Sequence, residues 1–600
     1  MKKLVLYIFL LGSVCTAHAQ YYLRGTITDE NAQPLENVKI TTVSDHMSSS
    51  SDNYGTFGIT LQGLQDSLDL SLDGYESKRV AVNATQYQGI TMKKTAATVR
   101  ANTSNHSLVS ITGDMDPGER VKLYEGNESY FSVTENPIVQ TKDHADASFA
   151  LNIDKASYSN IRRFLTAETE VPPDAVRTEE LLNYFDLHYK TPPNKDVFGI
   201  ESQLTDCPWS KNKLLYLNVD AQKLDLSNVA PSNLVFLIDA SGSMDMPDKL
   251  PIIKAAFQML VKNLRPVDSV SMVVFGGNVI LWLRSTSGAD GKKIIESIEK
   301  INADGETPGE AAIQLAYQTA DSAFITAGNN RVILATDGDF NVGESHEEEL
   351  EKLIAREKES GVYLTCLGVG SGNLKDSNLE ALATKGKGNY AYLDNIHEAQ
   401  RVLVEEMTKN LYAVADNVSL TVSFNPDMVQ SYRLIGFDNP KSAMADSNSV
   451  LEGGEIGSGN GLTAIFEVTL ASSGSIDSCL GDEGDIAQVK LNYNLPNDKK
   501  INTINYSCPD NYIKLDSTDK EYRFGAALVW FAMRLRNSPY IGKTDMNLAE
   551  KIASWNSIEK LATSSYDTDD YLQEEFVRLV DVAKRVYTTK KKKKKSDDDD

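Results

Sequence analysis

Apolar and polar positions follow different periods in successive parts of this chain. From residue 21 to about 95 they alternate, with turn residues at roughly eight- to twelve-residue spacing, which is typical of an all-β domain. From 231 to 411, apolar runs such as Leu234–Ile238 alternate with stretches of helical spacing such as Lys249–Leu264. Strands that are apolar on both faces belong to buried, mostly parallel sheets. The pattern therefore predicts an all-β domain and, further along the chain, a doubly wound, Rossmann-like α/β domain.

The two segments that flank the predicted α/β domain mix helical and strand patterns. In 135–220, helical spacing at Asp154–Leu165 precedes strand-like runs. In 412–585, alternating strand patterns come first and a helical end follows. Each segment alone makes an incomplete core, so we predict that the two pack together as one β-rich and helical support domain.

The first 19 residues have the features of a signal peptide. Two lysines precede the apolar run Leu4–Val14, and Ala17–Ala19 supplies a cleavage site before Gln20. We therefore expect an exported protein of the periplasm or cell envelope, with no transmembrane segment in the mature chain. Acylation of Cys15 is the alternative, and it is disfavoured because Val14 stands where lipoprotein signals carry Gly, Ala or Ser.

Two further segments lack sustained periodicity. One is rich in Ser, Thr, Asn and Gly, which predicts a linker, and the other is a lysine run followed by aspartates, which predicts a solvated, disordered tail. The predicted order is a signal peptide at 1–19, an all-β domain at 20–95, a linker at 96–134, a preceding region at 135–220, the α/β domain at 231–411, a C-terminal region at 412–585 and the tail at 586–600.

Composition and charge narrow the classes of partner. A chain of 600 residues with 41% hydrophobic and 24% charged residues is an ordinary multidomain protein, too long for one core. Its formal net charge of −24 repels polyanions, which disfavours non-specific binding to nucleic acid or anionic membranes. An acidic surface does favour cations.

The cysteines do not form a disulfide scaffold or a zinc motif. Cys207, Cys366, Cys479 and Cys508 remain after signal removal, and none has the spacing of a zinc site. Cys366 lies in an apolar strand pattern and is expected to be a buried thiol. Whether Cys479 pairs with Cys508 stays open at this level.

Oxygen-bearing side chains follow several of the predicted strands of the α/β domain. Asp239, Ser241 and Ser243 come directly after the first strand, Thr307 lies on a later loop, and Asp337 follows another strand. In an open α/β sheet, ligands bind at the carboxyl ends of the strands, where such loops converge. Two carboxylates and three hydroxyls, without His or Cys, suit a hard divalent cation. We predict Mg²⁺, with Mn²⁺ and Ca²⁺ as alternatives.

The donor set also predicts what the cation would do. If the two carboxylates act partly through water, the ion stays electrophilic and keeps a position for an incoming anion. An Asp or Glu carboxylate of a protein partner is the natural ligand for that position. Binding of such a partner to this acidic protein would then depend on the metal.

These residues and their order resemble the metal-ion-dependent adhesion site of von Willebrand factor A (VWA) domains. The resemblance implies a metal site made by Asp239, Ser241, Ser243, Thr307 and Asp337, with the three hydroxyls as direct ligands. It also implies, by analogy, a regulatory last helix at Ile396–Leu411.

Other parts of the chain carry resemblances too. The text from Leu23 onward, with Tyr54-Gly-Thr-Phe and Asp73-Gly-Tyr, resembles the carboxypeptidase-regulatory-like β-sandwich, an accessory module without catalytic residues. The flanks of the α/β domain resemble those of a group of bacterial envelope VWA proteins. Asn460 stands where that group usually has His, so any role of that His is absent here.

We therefore expect a non-enzymatic, exported VWA protein that mediates metal-dependent adhesion or scaffolding. The alternatives are a metal-assisted hydrolase at the same cleft and a purely structural envelope protein. His346 and Glu349 fit a metallopeptidase motif only superficially, because zinc would need a further ligand. The Asp337–Glu348 stretch copies part of an EF-hand loop, but Val342 replaces the required Gly and a strand precedes it.

Overall fold

The computed structural model describes most of the chain outside its two ends. The described residues are 21–93 apart from 31–33, 36, 45–46, 52–54, 62, 73–74 and 85, and 128–589 apart from 131–133, 152–153, 188–189, 191, 193–195, 226–228, 304–308, 327, 339–353, 355–360, 438–453, 472–483, 497 and 543–545. They divide into two compact units, one within 1–109 and one within 110–600. The predicted signal peptide and charged tail lie outside the described residues, as does most of the predicted linker.

The first unit is an all-β domain, as the alternating pattern predicts, and a β-sandwich, as the family resemblance implies. Its strands form two sheets, with orders β4-β1-β7 and β3-β2-β5-β6, and buried side chains such as Leu23 of β1 and Leu68 of β5 share one core between them. The strands are β1 (Tyr21–Thr28), β2 (Lys39–Thr42), β3 (Ser48–Ser50), β4 (Thr56–Leu61), β5 (Gln65–Ser71), β6 (Lys78–Asn83) and β7 (Gln88–Thr91).

The second unit contains the remaining strands and all the described helices. Its strands are β8 (Val139–Gln140), β9 (Asp146–Ala150), β10 (Phe198–Asp206), β11 (Lys213–Ala221), β12 (Ser232–Asp239), β13 (Ser269–Phe275), β14 (Val279–Ser287), β15 (Asn329–Thr336), β16 (Val362–Val369), β17 (Tyr390–Leu393), β18 (Ala413–Phe424), β19 (Val429–Ile435), β20 (Gly454–Gly457), β21 (Gly461–Leu470), β22 (Asp485–Asn494) and β23 (Ile501–Pro509). Its α-helices are α1 (Ala156–Thr166), α2 (Thr178–Tyr184), α3 (Leu250–Lys262), α4 (Gly291–Glu299), α5 (Gly309–Ser322), α6 (Asp376–Lys385), α7 (Ile396–Gln400), α8 (Met407–Leu411), α9 (Lys520–Leu535), α10 (Leu548–Ser565) and α11 (Tyr571–Thr588).

The α/β domain is built on a six-stranded sheet of order β14-β13-β12-β15-β16-β17. All neighbouring pairs are parallel except β13 and β14, which form an antiparallel hairpin. Along β12, Leu234, Phe236 and Ile238 join the core beneath α3 and α4, whereas Val235 and Leu237 join the core beneath α5 and α6. Because helices cover both faces, every residue of this strand is buried, and the predicted doubly wound architecture is confirmed.

Strands from before and after the α/β domain pair with each other. β11 pairs antiparallel with β21, β8 with β19, and β9 with β18. The resulting sheets, β10-β11-β21-β19-β8 and β20-β18-β22-β23, face each other across a shared apolar core. On the other face of β11, Tyr216 packs into a helical core formed largely by α1, α2 and α9–α11. The predicted β-rich and helical support domain is therefore present, and the α/β domain is inserted between its two halves.

The structure also bears on the cysteines, on membrane-spanning helices and on the predicted linker. Cys207, Cys366 and Cys508 are free, buried thiols, whereas Cys479 lies outside the described residues. Within the described part of the chain, we find no helix with the length and apolarity needed to cross a membrane. Glu128, which falls inside the predicted linker, accepts a 2.7 Å hydrogen bond from the Gly372 backbone of the α/β domain.

Candidate metal centre

The candidate site begins at the carboxyl end of β12. Asp239, the last residue of that strand, is fully buried, and its two carboxylate oxygens accept hydrogen bonds from different elements. Oδ1 accepts from the Ser241 backbone N–H at 2.9 Å, and Oδ2 accepts from the Thr336 hydroxyl at 2.5 Å. Thr336 ends the neighbouring strand β15, so the parallel pairing of the two strands fixes the orientation of this carboxylate.

The loop after β12 meets the loop after β15. The Ser243 hydroxyl donates a 2.8 Å hydrogen bond to Asp337 Oδ2, and the Ser241 and Ser243 hydroxyl oxygens lie 3.2 Å apart. The fold thus brings together Asp239, Ser241, Ser243 and Asp337, which are four of the five predicted site residues. Thr307 lies outside the described residues, so its role stays a prediction.

The two carboxylates share a water-poor environment. Burial raises the pKa of Asp239 to about 7, and the negative charge of Asp337 adds to this effect. Hydrogen bonds from Thr336 and Ser241 act in the opposite direction because they stabilise the ionised form. A cation close to both carboxylates would relieve their repulsion and favour ionisation.

Two residues at the site were missed by the sequence analysis. Lys249, which immediately precedes α3, places its ammonium nitrogen 3.0 Å from Asp337 Oδ2 and 2.7 Å from Asn373 Oδ1. The Asn373 amide in turn donates to Asp337 Oδ2 at 3.0 Å. Nothing in the spacing around Lys249 distinguishes it from an ordinary solvated lysine at a helix start. Its place at the candidate site is visible only from its contacts with Asp337 and Asn373.

Two glycines allow the loops to approach each other this closely. Gly338 has φ +81°, and a Cβ there would lie 3.0 Å from the Lys375 side chain. Gly370 has φ +82°, and a Cβ there would lie 2.4 Å from Cε of Lys249. L-residues rarely adopt this backbone conformation, and in both places a neighbouring side chain fills the space.

The chemistry of the donor set fits a hard divalent cation. The residues that converge offer two carboxylates and two hydroxyls, all of them oxygen donors. Across the described ranges, no group of three or more His, Cys, Asp or Glu residues is arranged to hold a metal. A site here would therefore depend on the serine hydroxyls as well as on the carboxylates.

The last helical segment of the α/β domain differs from the single helix expected at Ile396–Leu411. It consists of α7, a π-helical turn at Arg401–Glu405 and α8. Buried ion pairs accompany the turn, because the Arg401 guanidinium contacts both Glu398 and Glu406. Burial alone would raise the pKa of Glu406, but Arg401 and Lys155 lower it to about 2.

This segment is also joined to the flanking regions. Arg162 of α1 donates hydrogen bonds to Asp394 and Glu398, and the Tyr184 hydroxyl of α2 donates to Glu398 at 2.5 Å. Lys155, which precedes α1, contacts Glu406 at 3.1 Å. The end of the α/β domain is thus held by buried charges from the segment that precedes it.

Comparison with known families gives matches along most of the second unit. A model described as von Willebrand factor type A domain matches residues 233–406. A model described as von Willebrand factor matches 124–216, and the C-terminal model of the uncharacterized protein YfbK matches 409–586. The predicted VWA domain is confirmed.

Individual proteins extend this comparison. The uncharacterized protein YfbK of Escherichia coli (strain K12) is 34% identical over 482 residues, which is 77% of this chain and 82% of YfbK. Inter-alpha-trypsin inhibitor heavy chain H4 of Homo sapiens is 32% identical over 167 residues, which is 26% of this chain and 18% of that protein. A solved von Willebrand factor type A protein from Catenulispora acidiphila covers 66% of this chain and 91% of its own, with 14% identity and a TM-score of 0.39.

Proposed function

Because the chain belongs to the family of bacterial VWA-domain proteins that includes YfbK of Escherichia coli, we propose that it binds a protein partner through a divalent-cation site. VWA domains mediate protein–protein interactions, and this role is assigned here to the face that carries Asp239, Ser241, Ser243 and Asp337. The protein acts as an adhesion or scaffolding component of the cell envelope and not as an enzyme. Export to that location is the role of the predicted signal peptide at residues 1–19.

The proposal depends on the convergence of the loops that follow β12 and β15. The Ser243 hydroxyl donates a hydrogen bond to Asp337, and the Ser241 hydroxyl lies beside that of Ser243. Asp239 and Asp337 stand at the ends of the adjacent strands β12 and β15. Ser241, Ser243 and Thr307 are the proposed direct ligands, and Asp239 and Asp337 the proposed ligands through water. When bound, the divalent cation supplies a Lewis-acidic position that accepts a carboxylate oxygen from the partner.

The protein's own residues prepare this position. Thr336 and the Ser241 backbone hold the Asp239 carboxylate in one orientation, and Ser243 and Asn373 hold that of Asp337. Preorganised carboxylates lose little conformational freedom when a cation binds, and this supports affinity. Mg²⁺ is the proposed ion, and a partner that presents Asp or Glu is the proposed ligand.

Thermal unfolding with Mg²⁺, Mn²⁺ or Ca²⁺ tests the metal site. A cation that binds only the folded protein stabilises it by about 2.7 kcal/mol at a hundredfold excess over its Kd. We expect this shift for the wild type and its loss in Asp239→Ala, while the exposed residue Asp427 provides the control variant Asp427→Asn. If the cations shift the unfolding temperature of wild type and Asp239→Ala by the same amount, metal binding at this place is refuted.

A pull-down tests the adhesion role. Wild-type protein is incubated with an envelope extract in Mg²⁺ or in a chelator, with Asp239→Ala alongside. We expect one or more proteins that are retained only by the wild type in Mg²⁺. A binding partner that is retained equally in the chelator would contradict the metal-dependent role.

A further inference from the structure

Lys249 is a buried charge in direct contact with a proposed metal ligand. Its side chain and that of Asp337 are both fully inaccessible to solvent, with the ammonium nitrogen 3.0 Å from Oδ2. Oδ2 also accepts hydrogen bonds from the Ser243 hydroxyl and the Asn373 amide. Three donors therefore converge on one oxygen of this carboxylate.

Besides Asp337, the Lys249 ammonium donates a 2.7 Å hydrogen bond to the neutral Asn373 amide oxygen, but the place is otherwise costly for a cation. Lys249 immediately precedes α3, and the start of a helix carries a partial positive charge that disfavours a lysine there. Removal of an ammonium from water is also costly unless a counter-charge compensates for it. Asp337 supplies a counter-charge at 3.0 Å that offsets part of this cost.

The charges at the site can be counted from these contacts. Asp239 and Asp337 contribute two negative charges when ionised, and Lys249 contributes one positive charge. Together with a divalent cation, these three side chains would carry one net positive charge. Without Lys249, the cation and the two carboxylates would carry none. A carboxylate of a partner is attracted by the first arrangement more strongly than by the second.

We propose that Lys249 is a positioning residue that sets the charge of the metal site in favour of an anionic partner and at the expense of metal affinity. This inference rests on the proposed function. Lys249 and the divalent cation share the Asp337 carboxylate and repel each other, so the metal binds more weakly than it would to the two carboxylates alone. In return, the loaded site keeps a net positive charge that recruits the acidic group of the partner.

A structural role for Lys249 makes the opposite prediction for the metal. If the lysine only held Asp337 in place, its removal would disorder a ligand and weaken metal binding. If it sets the charge, its removal strengthens metal binding. The sign of the change in metal affinity therefore separates the two roles.

The test compares the wild type with Lys249→Met, which keeps the side-chain length without the charge. Lys262→Met, at the exposed end of the same helix, is the matched control. Binding of Mn²⁺ is followed by the electron paramagnetic resonance signal of the free ion, with Mg²⁺ as competitor. We expect Lys249→Met to bind Mn²⁺ about tenfold more tightly or better, because a repelling charge close by has been removed. Lys262→Met should bind like the wild type.

Acetate serves as the carboxylate probe on the Mn²⁺-loaded proteins, followed by the spectrum of the bound ion. We expect the acetate affinity of Lys249→Met to fall at least threefold below that of the wild type. Lys249→Gln, which keeps a hydrogen-bond donor near Asp337, repeats both measurements, and circular dichroism checks that each variant is folded. If Lys249→Met does not fold, Lys249→Gln decides the question.

Each outcome has a separate meaning. Unchanged or weaker Mn²⁺ binding in the folded Lys249 variants overturns the charge-setting role, as does unchanged acetate binding. Absence of Mn²⁺ binding in the wild type and in both variants overturns the proposed function itself, and the inference falls with it.

Discussion

Arg162, on α1 before the α/β domain, donates a 2.8 Å hydrogen bond to Glu398 on α7, near the end of that domain. The same guanidinium contacts Asp394 and, at 3.2 Å, Glu575 of α11. One buried arginine therefore joins three parts of the chain that are far apart in sequence. A shift of the last helical segment of the α/β domain would therefore disturb its contact with Arg162, the same residue that contacts Glu575 in the C-terminal flank.

Arg162→Met should strongly destabilise the second unit. The substitution leaves Asp394 and Glu398 buried without this counter-charge, and breaking a buried pair in this way costs about 3–5 kcal/mol. Urea unfolding followed by circular dichroism measures the loss. Arg578→Met, which removes an exposed pair with Glu574, should cost about 0.5 kcal/mol or less. A loss of less than about 1 kcal/mol in the free energy of unfolding for Arg162→Met would show that its ion pairs with Asp394 and Glu398 do not hold the last helical segment in place.

Ser243→Ala should weaken the proposed metal site without unfolding the protein. The hydroxyl is a proposed ligand and also donates to Asp337, so its removal should lower Mg²⁺ affinity about tenfold or more, which corresponds to about 1.4 kcal/mol. Calorimetric titration with Mg²⁺ measures this change. Ser557→Ala, whose exposed hydroxyl bonds to the Ala553 carbonyl in α10, is the control and should leave the titration unaltered. An unchanged Mg²⁺ affinity in Ser243→Ala would remove Ser243 from the ligand set.

Gly370→Ala should destabilise the loop after β16, which also carries Asn373, a hydrogen-bond partner of Lys249. The φ of +82° at Gly370 is costly for alanine, and the new Cβ would lie 2.4 Å from Lys249 Cε. Together these effects should cost about 2–4 kcal/mol in the free energy of unfolding. Gly291→Ala, at the first residue of α4 with its nearest neighbour at 3.6 Å, should change stability by about 1 kcal/mol or less. Chemical denaturation of both variants under one set of conditions makes the comparison, and equal stability would show that the loop can relax.

Asp220 should make the second unit less stable as the pH rises. Burial raises the pKa of its carboxyl from 3.8 to about 7, and Glu201 and Asp186 add to this effect. Between these values the folded protein holds a proton that the unfolded chain has lost. The contribution is therefore fully present below about pH 3.8 and is lost as the pH rises through about 7.

Asp220→Asn isolates that contribution because an amide does not titrate. Relative to the wild type, the variant should be more stable at pH 8 than at pH 5, with a difference between the two conditions of about 1–3 kcal/mol. Urea unfolding of both proteins at both pH values measures it. A pH-independent effect of Asp220→Asn would mean that the carboxyl is ionised throughout this range.

Much of the candidate site could be predicted because each of its loops directly follows a strand that the hydrophobic pattern identifies. Asp239, Ser241 and Ser243 follow a strand that is apolar on both faces, and Asp337 follows another. Parallel strands bring their carboxyl ends to one edge, so the convergence of these residues follows from the pattern. The family resemblance rested on the same residues, and the match at 233–406 confirms it.

Lys249, Asn373 and Arg162 could not be assigned in this way. Each carries an ordinary polar side chain in a segment whose pattern is explained by secondary structure alone. Their partners lie 88, 36 and 236 positions away, and no local period reports such a contact. The interruption of the expected helix at Ile396–Leu411 belongs to the same class, because buried charges from the flanks accompany it.

The amino-acid sequence by itself determined the alternation of strands and helices, the order of the domains and the oxygen-rich loops, since hydrophobic period and strand ends are local properties. Only the tertiary structure decided which buried charges meet, how the two flanks share their sheets and that the Lys249 ammonium lies against Asp337. Those choices depend on the free energy of desolvated charge pairs, which exists only after distant segments have packed together.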